Sequence, residues 1–319
     1  MIRFLLTRGY GSTLRAVRKA GLPAAIRLMN YDRLLRARWL RRGTYIFSDL
    51  DRLGSWDLEQ ASHMYLHLKN AGLPVLNNPA RFKNRYLLLR ALHAAGLNDF
   101  RAYRMDEVDA PMRYPVFVRK EQGHHGPLSG LLETKADVVK TVEAAIQSGT
   151  PAENLLIIEY AAEPIRPGAY RKMAAFCIGH EIVPHVSVHD NKWLVKYGAL
   201  GVADEGLYRE ELGWMQNNPF AGHLQKVFSV ANIEYGRADF GFYQGRIQIY
   251  EINTNPHLEP PEEHTSPIRM ESMRVGWEKY LKALQALDSG GGWPIRLPNG
   301  TLQKHRPWKN LLVRTRKVH

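Results

Sequence analysis

Cysteine is almost missing from this chain, since Cys177 is the only one in 319 residues. A single cysteine excludes an intramolecular disulfide and a zinc site built from several cysteines. Long apolar runs are missing too, because no stretch approaches the roughly 18 consecutive apolar residues of a membrane-spanning helix. The basic first residues lack the apolar core and cleavage site of a secretory signal. These absences predict a reducing compartment, and we expect a cytoplasmic location.

Familiar nucleotide-binding and hydrolase fingerprints are absent as well. The sequence contains no Walker A loop, no dinucleotide-binding G-x-G-x-x-G pattern and no G-x-S-x-G elbow around a serine. Hydrophobic residues make up 45% and charged residues 24%, which is ordinary for a folded globular chain. Any chemistry must therefore come from a less familiar arrangement of polar residues.

Negative charge is scarce at both ends of the chain. The formal net charge is +13, and residues 1–42 contain eleven Lys and Arg residues against Asp32 alone. The tail QKHRPWKNLLVRTRKVH is basic too. Basic ends of this kind are most often an ordinary solvated surface, and the alternative is contact with an anionic membrane or another polyanion, which would place the protein peripherally at a membrane. An acidic or phosphorylated substrate would use the same charge.

Helical and strand patterns alternate along the chain. Residues 12–42 interleave apolar and basic positions and are predicted to be helical, as a pair of helices packed on the body or as an amphipathic surface helix. Residues 186–222 look irregular with short helices. Strands are predicted at 114–120 and 155–161, and a hairpin is predicted to turn at Gly179-His180. Strands in hairpins mixed with helices predict an α+β fold or an α/β fold with antiparallel components.

The most informative stretch reads RADFGFYQGRIQIYEIN. A three-residue loop at 244–246 would make it a hairpin in which Asp239 faces Glu251 and Arg237 faces Asn253. Directly opposed residues share one face of a sheet, so the polar residues would cluster at one end of the hairpin. The opposite face would be apolar and buried.

A two-residue loop, Gln244-Gly245, would instead place Asp239 beside Tyr250 and split the carboxylates between the two faces. Opposed carboxylates repel each other unless a cation lies between them. Two carboxylates and an amide are hard oxygen ligands that suit Mg²⁺ carrying phosphates and water, and the absence of His and Cys disfavours Zn²⁺. The first register therefore predicts a magnesium site formed by Asp239, Glu251 and Asn253.

These paired motifs, followed by Thr-Asn-Pro, resemble the closing motif of the ATP-grasp superfamily, especially D-alanine–D-alanine ligase and the glutamate-adding ligases. The resemblance implies two α+β subdomains with ATP between them. It also implies that Asp239, Glu251 and Asn253 hold Mg²⁺ on the ATP phosphates. Arg237 would contact the transferred phosphoryl group or the oxyanion of the tetrahedral intermediate.

The resemblance extends upstream and assigns further contacts. A lysine that opens a helix reaches the ATP phosphates in the family, and the last residue of a following strand, usually lysine, contacts them too. Arg119 stands at that second position, so Arg119 and Lys120 both remain candidates. Lys196 matches a basic residue near the γ-phosphate. The implied ATP-binding residues are Lys83, Arg119, Lys120, Gly123 and Gly126 of the glycine-rich loop, and Glu159, Tyr160 and Ala161 of the hinge strand.

One element of the family pattern is missing. The family usually has Gly-x-Glu after the hinge strand, where the glutamate binds ribose, but Arg171 and Lys172 stand near that place. Glu163 is a weak substitute for the ribose contact. Arg171 or Lys172 is then expected to face phosphate or substrate.

The resemblance covers residues 77–257 and suggests a division of the chain. We expect a basic N-terminal domain at 1–76, a lid subdomain at 77–165, a metal-binding subdomain at 166–288 and a flexible basic tail at 289–319. The N-terminal part is shorter and more basic than the usual first domain of these ligases. No substrate can therefore be inferred from it.

The implied activity is an ATP-dependent ligase. It would activate a small-molecule or peptide carboxylate as an acyl-phosphate and join it to an amine acceptor, with ATP and Mg²⁺ as cofactors. Residues 186–222 and the segment after Pro256 would shape the acceptor pocket. The alternatives are an ATP-dependent phosphotransferase on the same fold and a basic polyanion-binding protein that keeps an ATP-grasp remnant.

Overall fold

The first part of the chain forms a parallel sheet in the order β2-β1-β4-β5. The computed structural model describes residues 1–110, 112–123 and 126–297. Strands β1 and β4 are buried throughout, as expected for central strands of a parallel sheet. The elements of this part are β1 (Ile2–Leu6), α1 (Arg15–Lys19), β2 (Ile26–Asn30), α2 (Tyr31–Arg36), β3 (Trp39–Leu40), β4 (Thr44–Phe47), α3 (Ser55–Asn70) and β5 (Val75–Leu76).

The prediction that residues 12–42 are helical is largely wrong. Two short helices, α1 and α2, flank the strand β2, which pairs in parallel with β1 from Ile2–Ile26 to Leu6–Asn30. The spacing of apolar residues suited a helix, but pairing with a buried neighbouring strand overrode that local preference.

A small antiparallel sheet follows, in the order β6-β8-β7. Because side chains alternate along a strand, β7 has two distinct faces. Val116 and Val118 pack under α5, whereas Phe117 packs on the opposite side against the cluster that contains Leu156 and Ile158. The elements here are α4 (Arg85–Ala94), β6 (Ala102–Tyr103), β7 (Val116–Lys120), α5 (Lys135–Gln147) and β8 (Leu155–Glu159).

The last part is an antiparallel sheet in the order β10-β9-β11-β12. Its strands β9 and β10 turn at Gly179-His180, as predicted. The segment expected to be irregular is more regular than predicted, because β10 extends to Asp190 and α6 has 13 residues. The elements are β9 (Tyr170–Ile178), β10 (Glu181–Asp190), α6 (Glu205–Asn217), α7 (Ala221–Ala231), β11 (Tyr235–Tyr243), β12 (Arg246–Asn253), α8 (Pro267–Ala286) and β13 (Ile295–Arg296).

This antiparallel sheet separates two cores. One face packs against α4 and α7 through Leu88, Phe228 and Phe240. The other face packs against α8 at one end, where Phe176 and Tyr280 meet. The remainder of that second face carries the polar residues of β11 and β12.

The start of the predicted flexible tail is docked rather than free. Strand β13 pairs with β3, and Leu297 is 3% exposed and donates its N–H to the Arg38 carbonyl at 2.9 Å. Residues 298–319 lie outside the described residues. The proposed domain boundaries at 76, 165 and 288 stay predictions.

Within the described ranges, no helix combines the length and the apolar character that crossing a membrane would need.

Candidate active site

The hairpin of β11 and β12 closes with two residues, so the predicted three-residue loop is wrong. Tyr243 pairs with Arg246, which leaves Gln244 and Gly245 as the turn. Both have positive φ, 51° and 72°, which is the backbone of a type I′ turn.

A β-bulge nevertheless restores the predicted pairing of the carboxylates. Phe240 pairs with Ile249 and Asp239 pairs with Glu251, so Tyr250 is an extra residue in β12. The paired register is therefore confirmed, and the register that split the carboxylates is wrong. Arg237 pairs with Asn253 two residues further on, also as predicted.

The bulge also directs Tyr250 towards the small sheet. Tyr250 Oη donates to the Ala161 carbonyl at 3.2 Å, and its ring packs with Phe100 at a centroid distance of 6.4 Å. Gly241 lies beneath this side chain, because a Cβ there would come 2.5 Å from Tyr250 Oη. The hairpin and the hinge strand are thereby joined across the space between the two sheets.

Basic side chains neutralise the opposed carboxylates. Asp239 is 3% exposed and accepts from Arg237 Nε at 2.9 Å, and Lys172 Nζ lies 3.1 Å from its other oxygen. Glu251 forms an ion pair with Arg85. Because each carboxylate has a cation beside it, like-charge repulsion does not force the strands apart.

The donor set fits a hard divalent cation held largely by phosphates. Two carboxylates and the Asn253 amide lie on one face, and Asn253 Oδ1 is oriented by the N–H of Asn255 at 2.8 Å. No cluster of three or more His, Cys, Asp or Glu side chains suited to a metal is found among residues 1–110, 112–123 and 126–297. Mg²⁺ needs few protein ligands when it also binds phosphates and water, so Asp239, Glu251 and Asn253 suit it.

An open cleft of about 290 Å³ adjoins these residues. It is bounded by the start of α3, the start of α4, the loop after β7 and the end of β12. Arg85 Nε is buried here without a hydrogen-bond partner in the described part of the chain. The polar residues at the cleft are Asp51, Ser55, Lys83, Asn84, Arg85, Glu121, Gln122, Glu251 and Asn253.

Arg119 and Lys120 point in opposite directions from the end of β7. Strand alternation places Arg119 with Phe117 on the side of the cleft, and Lys120 with Val118 on the side of α5. Burial lowers the pKa of Arg119 to about 10, with a further contribution from Arg85 and an opposing one from Glu251. Of the two candidates, Arg119 is therefore the one beside the carboxylates.

The side chains of Lys83 and Arg85 also point to different parts of the molecule. Lys83 Nζ donates to the Val230 carbonyl at 2.8 Å at the end of α7, although its stem borders the cleft. Arg85 is the first residue of α4, and its guanidinium reaches the Glu121 carbonyl at 2.6 Å and the Glu251 carboxylate. The sequence analysis missed Arg85. Its position just after the N-cap Asn84 was the available signal, since Lys83 precedes the helix.

The Glu159 side chain lies away from the cleft. Its carboxylate accepts from Tyr103 Oη at 2.7 Å and from the backbone N–H groups of Arg101 and Arg113 at 3.0 and 2.8 Å. It therefore organises the strands around the hinge. Its predicted adenine contact stays a prediction, and this geometry does not favour it.

The next two residues of the hinge do face the space between the sheets. The Tyr160 ring packs edge-on against Trp193 at 5.7 Å, and Ala161 meets Tyr250. Phe117 lies 5.1 Å from the same Trp193 ring. An aromatic wall thus lines the part of the space where the resemblance expects adenine.

The glycine-rich loop leaves β7 at the cleft. Gly123 borders the cleft and has a φ of +94°, a conformation that favours glycine. Gly126 lies against Leu194, which would meet an added Cβ at 3.2 Å. The loop then returns along β7, where the Leu128 N–H donates to the Val118 carbonyl at 2.7 Å.

Lys196 is exposed and does not join the group of carboxylates. Its ammonium lies 5.0 Å from the centroid of the Tyr197 ring, in the segment between β10 and α6. Lys172 occupies the site instead, while Arg171 pairs with Glu210 of α6 at 2.8 Å. Strand alternation on β9 accounts for the difference, because adjacent residues face opposite sides.

The residues after the metal motif join this sheet to the N-terminal part. Asn255 Nδ2 donates to Asp49 Oδ1 at 2.9 Å and to the Tyr10 carbonyl at 3.1 Å. Thr13 donates to the Asn255 side-chain oxygen at 2.7 Å, and the Leu50 N–H donates to Thr254 at 3.2 Å. The Thr-Asn-Pro segment is therefore a junction between sheets.

The small sheet β6-β8-β7 faces the larger antiparallel sheet, whose last two strands form the carboxylate-bearing hairpin. This is the ATP-grasp fold, and the chain has that fold. The D-alanine–D-alanine ligase from Bacillus anthracis superimposes with a TM-score of 0.52 at 13% identity, covering 90% of this chain and 96% of that one. The ATP-grasp ligase PsnB, complexed with a phosphomimetic variant of its minimal precursor, Mg and ADP, gives the same values. The D-alanine–D-alanine ligase from Coxiella burnetii has a TM-score of 0.50 at 13% identity, covering 90% and 94%.

No family model matches the sequence, and no curated protein sequence matches it. At 13% identity the structural likeness establishes the fold.

Proposed function

We propose that this protein is an ATP-dependent ligase that joins a substrate carboxylate to an amine. One observation carries the proposal: Asp239, Glu251 and Asn253 lie on one face of the hairpin, with Arg85 and Arg237 beside them. Solved structures of this fold include ligases acting on D-alanine and on a precursor peptide, which supports a small-molecule or peptide substrate.

ATP would lie between the small sheet and the hairpin. The aromatic wall of Phe117, Tyr160 and Trp193 suits an adenine ring, and Arg119 and Arg85 lie towards the carboxylates, where the phosphates would be. Gly123 allows the backbone of the glycine-rich loop to approach those phosphates closely. Mg²⁺ bound by Asp239, Glu251 and Asn253 would neutralise phosphate charge.

The first step is attack of a substrate carboxylate oxygen on the γ-phosphorus of ATP. An O–P bond forms to give an acyl-phosphate, and the bond to ADP breaks. Arg85, Arg119 and Arg237 stabilise the charge on the transferred group because their positions are fixed by strands and by a helix start.

In the second step the amine nitrogen attacks the acyl carbon. The bond from carbon to the phosphate oxygen breaks, phosphate leaves, and the amine loses a proton to water. Arg237 lies beside the carboxylates and would stabilise the oxyanion that forms on the acyl oxygen.

The test is Mg²⁺-dependent ADP formation with a panel of amino acids, peptides and sugar acids, each supplied with mixed amines. Mass spectrometry then identifies the product. We expect turnover with one class of carboxylate and an amide product heavier than the acid. A phosphorylated product without an amide would indicate the phosphotransferase.

The variant that tests the metal assignment is Glu251→Gln. Glu251→Gln keeps the size of the side chain but removes a metal-binding charge, so turnover should fall at least 100-fold. Near-normal turnover by a folded Glu251→Gln protein would contradict the metal assignment.

Salt-sensitive polyanion binding without any ATP turnover would favour the polyanion-binding alternative.

A further inference from the structure

A second cavity of about 260 Å³ opens on the other side of Arg237. It lies between β9, β10, α8 and the segment that follows Pro256. Nothing in the reaction described above occupies it. The lining side chains with aromatic rings are Phe176, His185, His257, Trp277 and Tyr280.

The inner walls of this cavity are aromatic. Trp277 stacks on Tyr280 with an interplanar angle of 14°, and Phe176 meets Tyr280 edge-on at 4.9 Å. His185 packs against Phe176 at 5.3 Å, and burial, with Arg237 and Arg269, lowers the pKa of His185 to about 3. The histidine is therefore neutral at ordinary pH. Protein interiors are close-packed, so a space with these walls suits an apolar group from outside the chain.

The rim of the cavity is acidic. Glu259 Oε1 lies 2.7 Å from His257 Nε2, and this hydrogen bond is the main cause that lowers the pKa of Glu259. Two carboxylates at one mouth are notable in a chain with a net charge of +13. They would attract a cationic group of an incoming molecule.

Arg237 connects this rim to the carboxylates of the hairpin. Its Nη1 donates to the His257 carbonyl at 3.3 Å, while its Nε donates to Asp239 at 2.9 Å. A molecule that places its apolar side chain in the cavity would keep its amine at the rim. The guanidinium of Arg237 would then lie between that amine and the site where the acyl-phosphate forms.

We propose that the aromatic cavity selects the amine acceptor, which carries an aromatic or other large apolar side chain. Glu259 and Glu262 attract its ammonium group, which loses a proton to water before the nitrogen attacks. Its side chain packs on Trp277, over the buried rings of Tyr280 and Phe176. This inference rests on the proposed ligase function, since it names the acceptor of that reaction. Acceptors such as glycine, which have no side chain, would leave the cavity empty.

Three small probes test the cavity without relying on turnover. Phenethylamine has both the ring and the ammonium group, ethylamine lacks the ring, and 3-phenylpropionate replaces the ammonium with a carboxylate. Ligand-observed NMR on the full chain should show binding of phenethylamine at least fivefold tighter than binding of the other two. Equal binding of all three, or no binding of phenethylamine, would overturn the inference.

Two variants locate the binding. Val186→Trp fills the cavity from β10 and should abolish phenethylamine binding, while the pair Glu259→Gln and Glu262→Gln should weaken it about fivefold. Glu263→Gln is the matched control, because that exposed carboxylate is adjacent in sequence but does not line the cavity. Unchanged binding by a folded Val186→Trp protein would contradict the proposal.

The binding and turnover experiments distinguish failure of the acceptor assignment from failure of the ligase proposal. If phenethylamine does not bind but carboxylate-dependent ADP formation occurs, the reaction stands and the acceptor assignment is wrong. If phenethylamine binds as described but no carboxylate supports ADP formation, the ligase proposal is wrong, and the assignment of an acceptor, which rests on it, falls as well.

Discussion

Basic side chains outnumber the two opposed carboxylates at the end of the hairpin. Four cations, Arg85, Arg119, Lys172 and Arg237, lie close to the carboxylates Asp239 and Glu251. The excess positive charge is costly in a half-buried place unless an anion arrives to share it. On the proposed function, the same residues would stabilise a bound polyphosphate and would destabilise the protein without it.

Arg119 is the clearest case of this cost. Its pKa is lowered to about 10 by burial, yet it remains charged near neutral pH, so its charge destabilises the folded state without a ligand. We expect Arg119→Met to raise the thermal unfolding midpoint and to weaken binding of a non-hydrolysable ATP analogue at least tenfold. Lys120→Met, on the other face of β7, is the control and should change affinity less than twofold. A lower midpoint for Arg119→Met would refute the explanation.

The choice between Lys83 and Arg85 gives a second prediction. Arg85 reaches Glu251, whereas Lys83 donates to a carbonyl at the end of α7. Arg85→Met should lower kcat for carboxylate-dependent ADP formation by 100-fold or more, since a positioned cation facing the phosphates is lost. Lys83→Met should lower it less than fivefold. The reverse order in steady-state kinetics would restore the original assignment to Lys83.

The sequence predicted residue types at this site better than residue directions. The grouping of Asp239, Glu251 and Asn253 followed from two alternating patterns on neighbouring strands, because strand periodicity fixes which residues share a face. The directions of side chains at the ends of elements were harder to predict. Lys83 and Glu159 have partners that are distant in sequence, and Lys196 lies over the ring of its neighbour Tyr197.

At the scale of the element, the bulge in β12 explains why Gly241 has no side chain. A Cβ there would lie 2.5 Å from Tyr250 Oη, so Gly241→Ala should lower the free energy of unfolding by about 1–3 kcal/mol. Tyr250→Phe removes the clashing oxygen and the bond to Ala161, at a cost of about 1 kcal/mol. Chemical denaturation of both single variants and the double variant forms the test. The double variant should be more stable than the sum of the single effects predicts, and strict additivity would contradict the clash.

Periodicity predicted the paired strands at 114–120 and 155–161 and the hairpin at Gly179-His180 well. It was wrong for residues 12–42, where parallel pairing with β1 converts an apparent helix into β2. It also could not choose the turn of the hairpin, because the bulge compensates for a shorter loop. Such compensation depends on packing between sheets and leaves no local pattern.

At the scale of the whole molecule, a buried group of polar residues connects α6, α8 and β10. The Glu211 carboxylate accepts from the Ser187 N–H at 2.7 Å and pairs with Arg269, which donates to the Ser187 carbonyl. His189 is 6% exposed beside them, and burial, with Arg171, Arg269 and Arg166, lowers its pKa to about 4. Stability should therefore depend on pH through this histidine.

The direction of this pH dependence follows from the pH at which the folded and the unfolded state each bind a proton. Unfolded His189 becomes protonated near pH 6.5 and the folded form only near pH 4, so stability falls as pH decreases through that window. One such histidine accounts for a loss of about 2 kcal/mol between pH 7 and pH 5. Urea unfolding of His189→Asn should show a shallower pH dependence by that amount, while His63→Asn, whose side chain is 61% exposed, should match the parent. An unchanged slope for His189→Asn would disprove this account.

The bulged hairpin has a consequence for recognising related chains. A two-residue turn with a bulge and a three-residue turn without one give the same number of residues between Asp239 and Glu251. A search pattern with that fixed interval would therefore retrieve both kinds of protein and would not distinguish them. They would differ at the residue equivalent to Tyr250, which here meets the hinge carbonyl of Ala161 and in a regular strand would face the opposite side. Relatives with identical residues at this end of the hairpin can thus differ in the wall that faces the hinge strand.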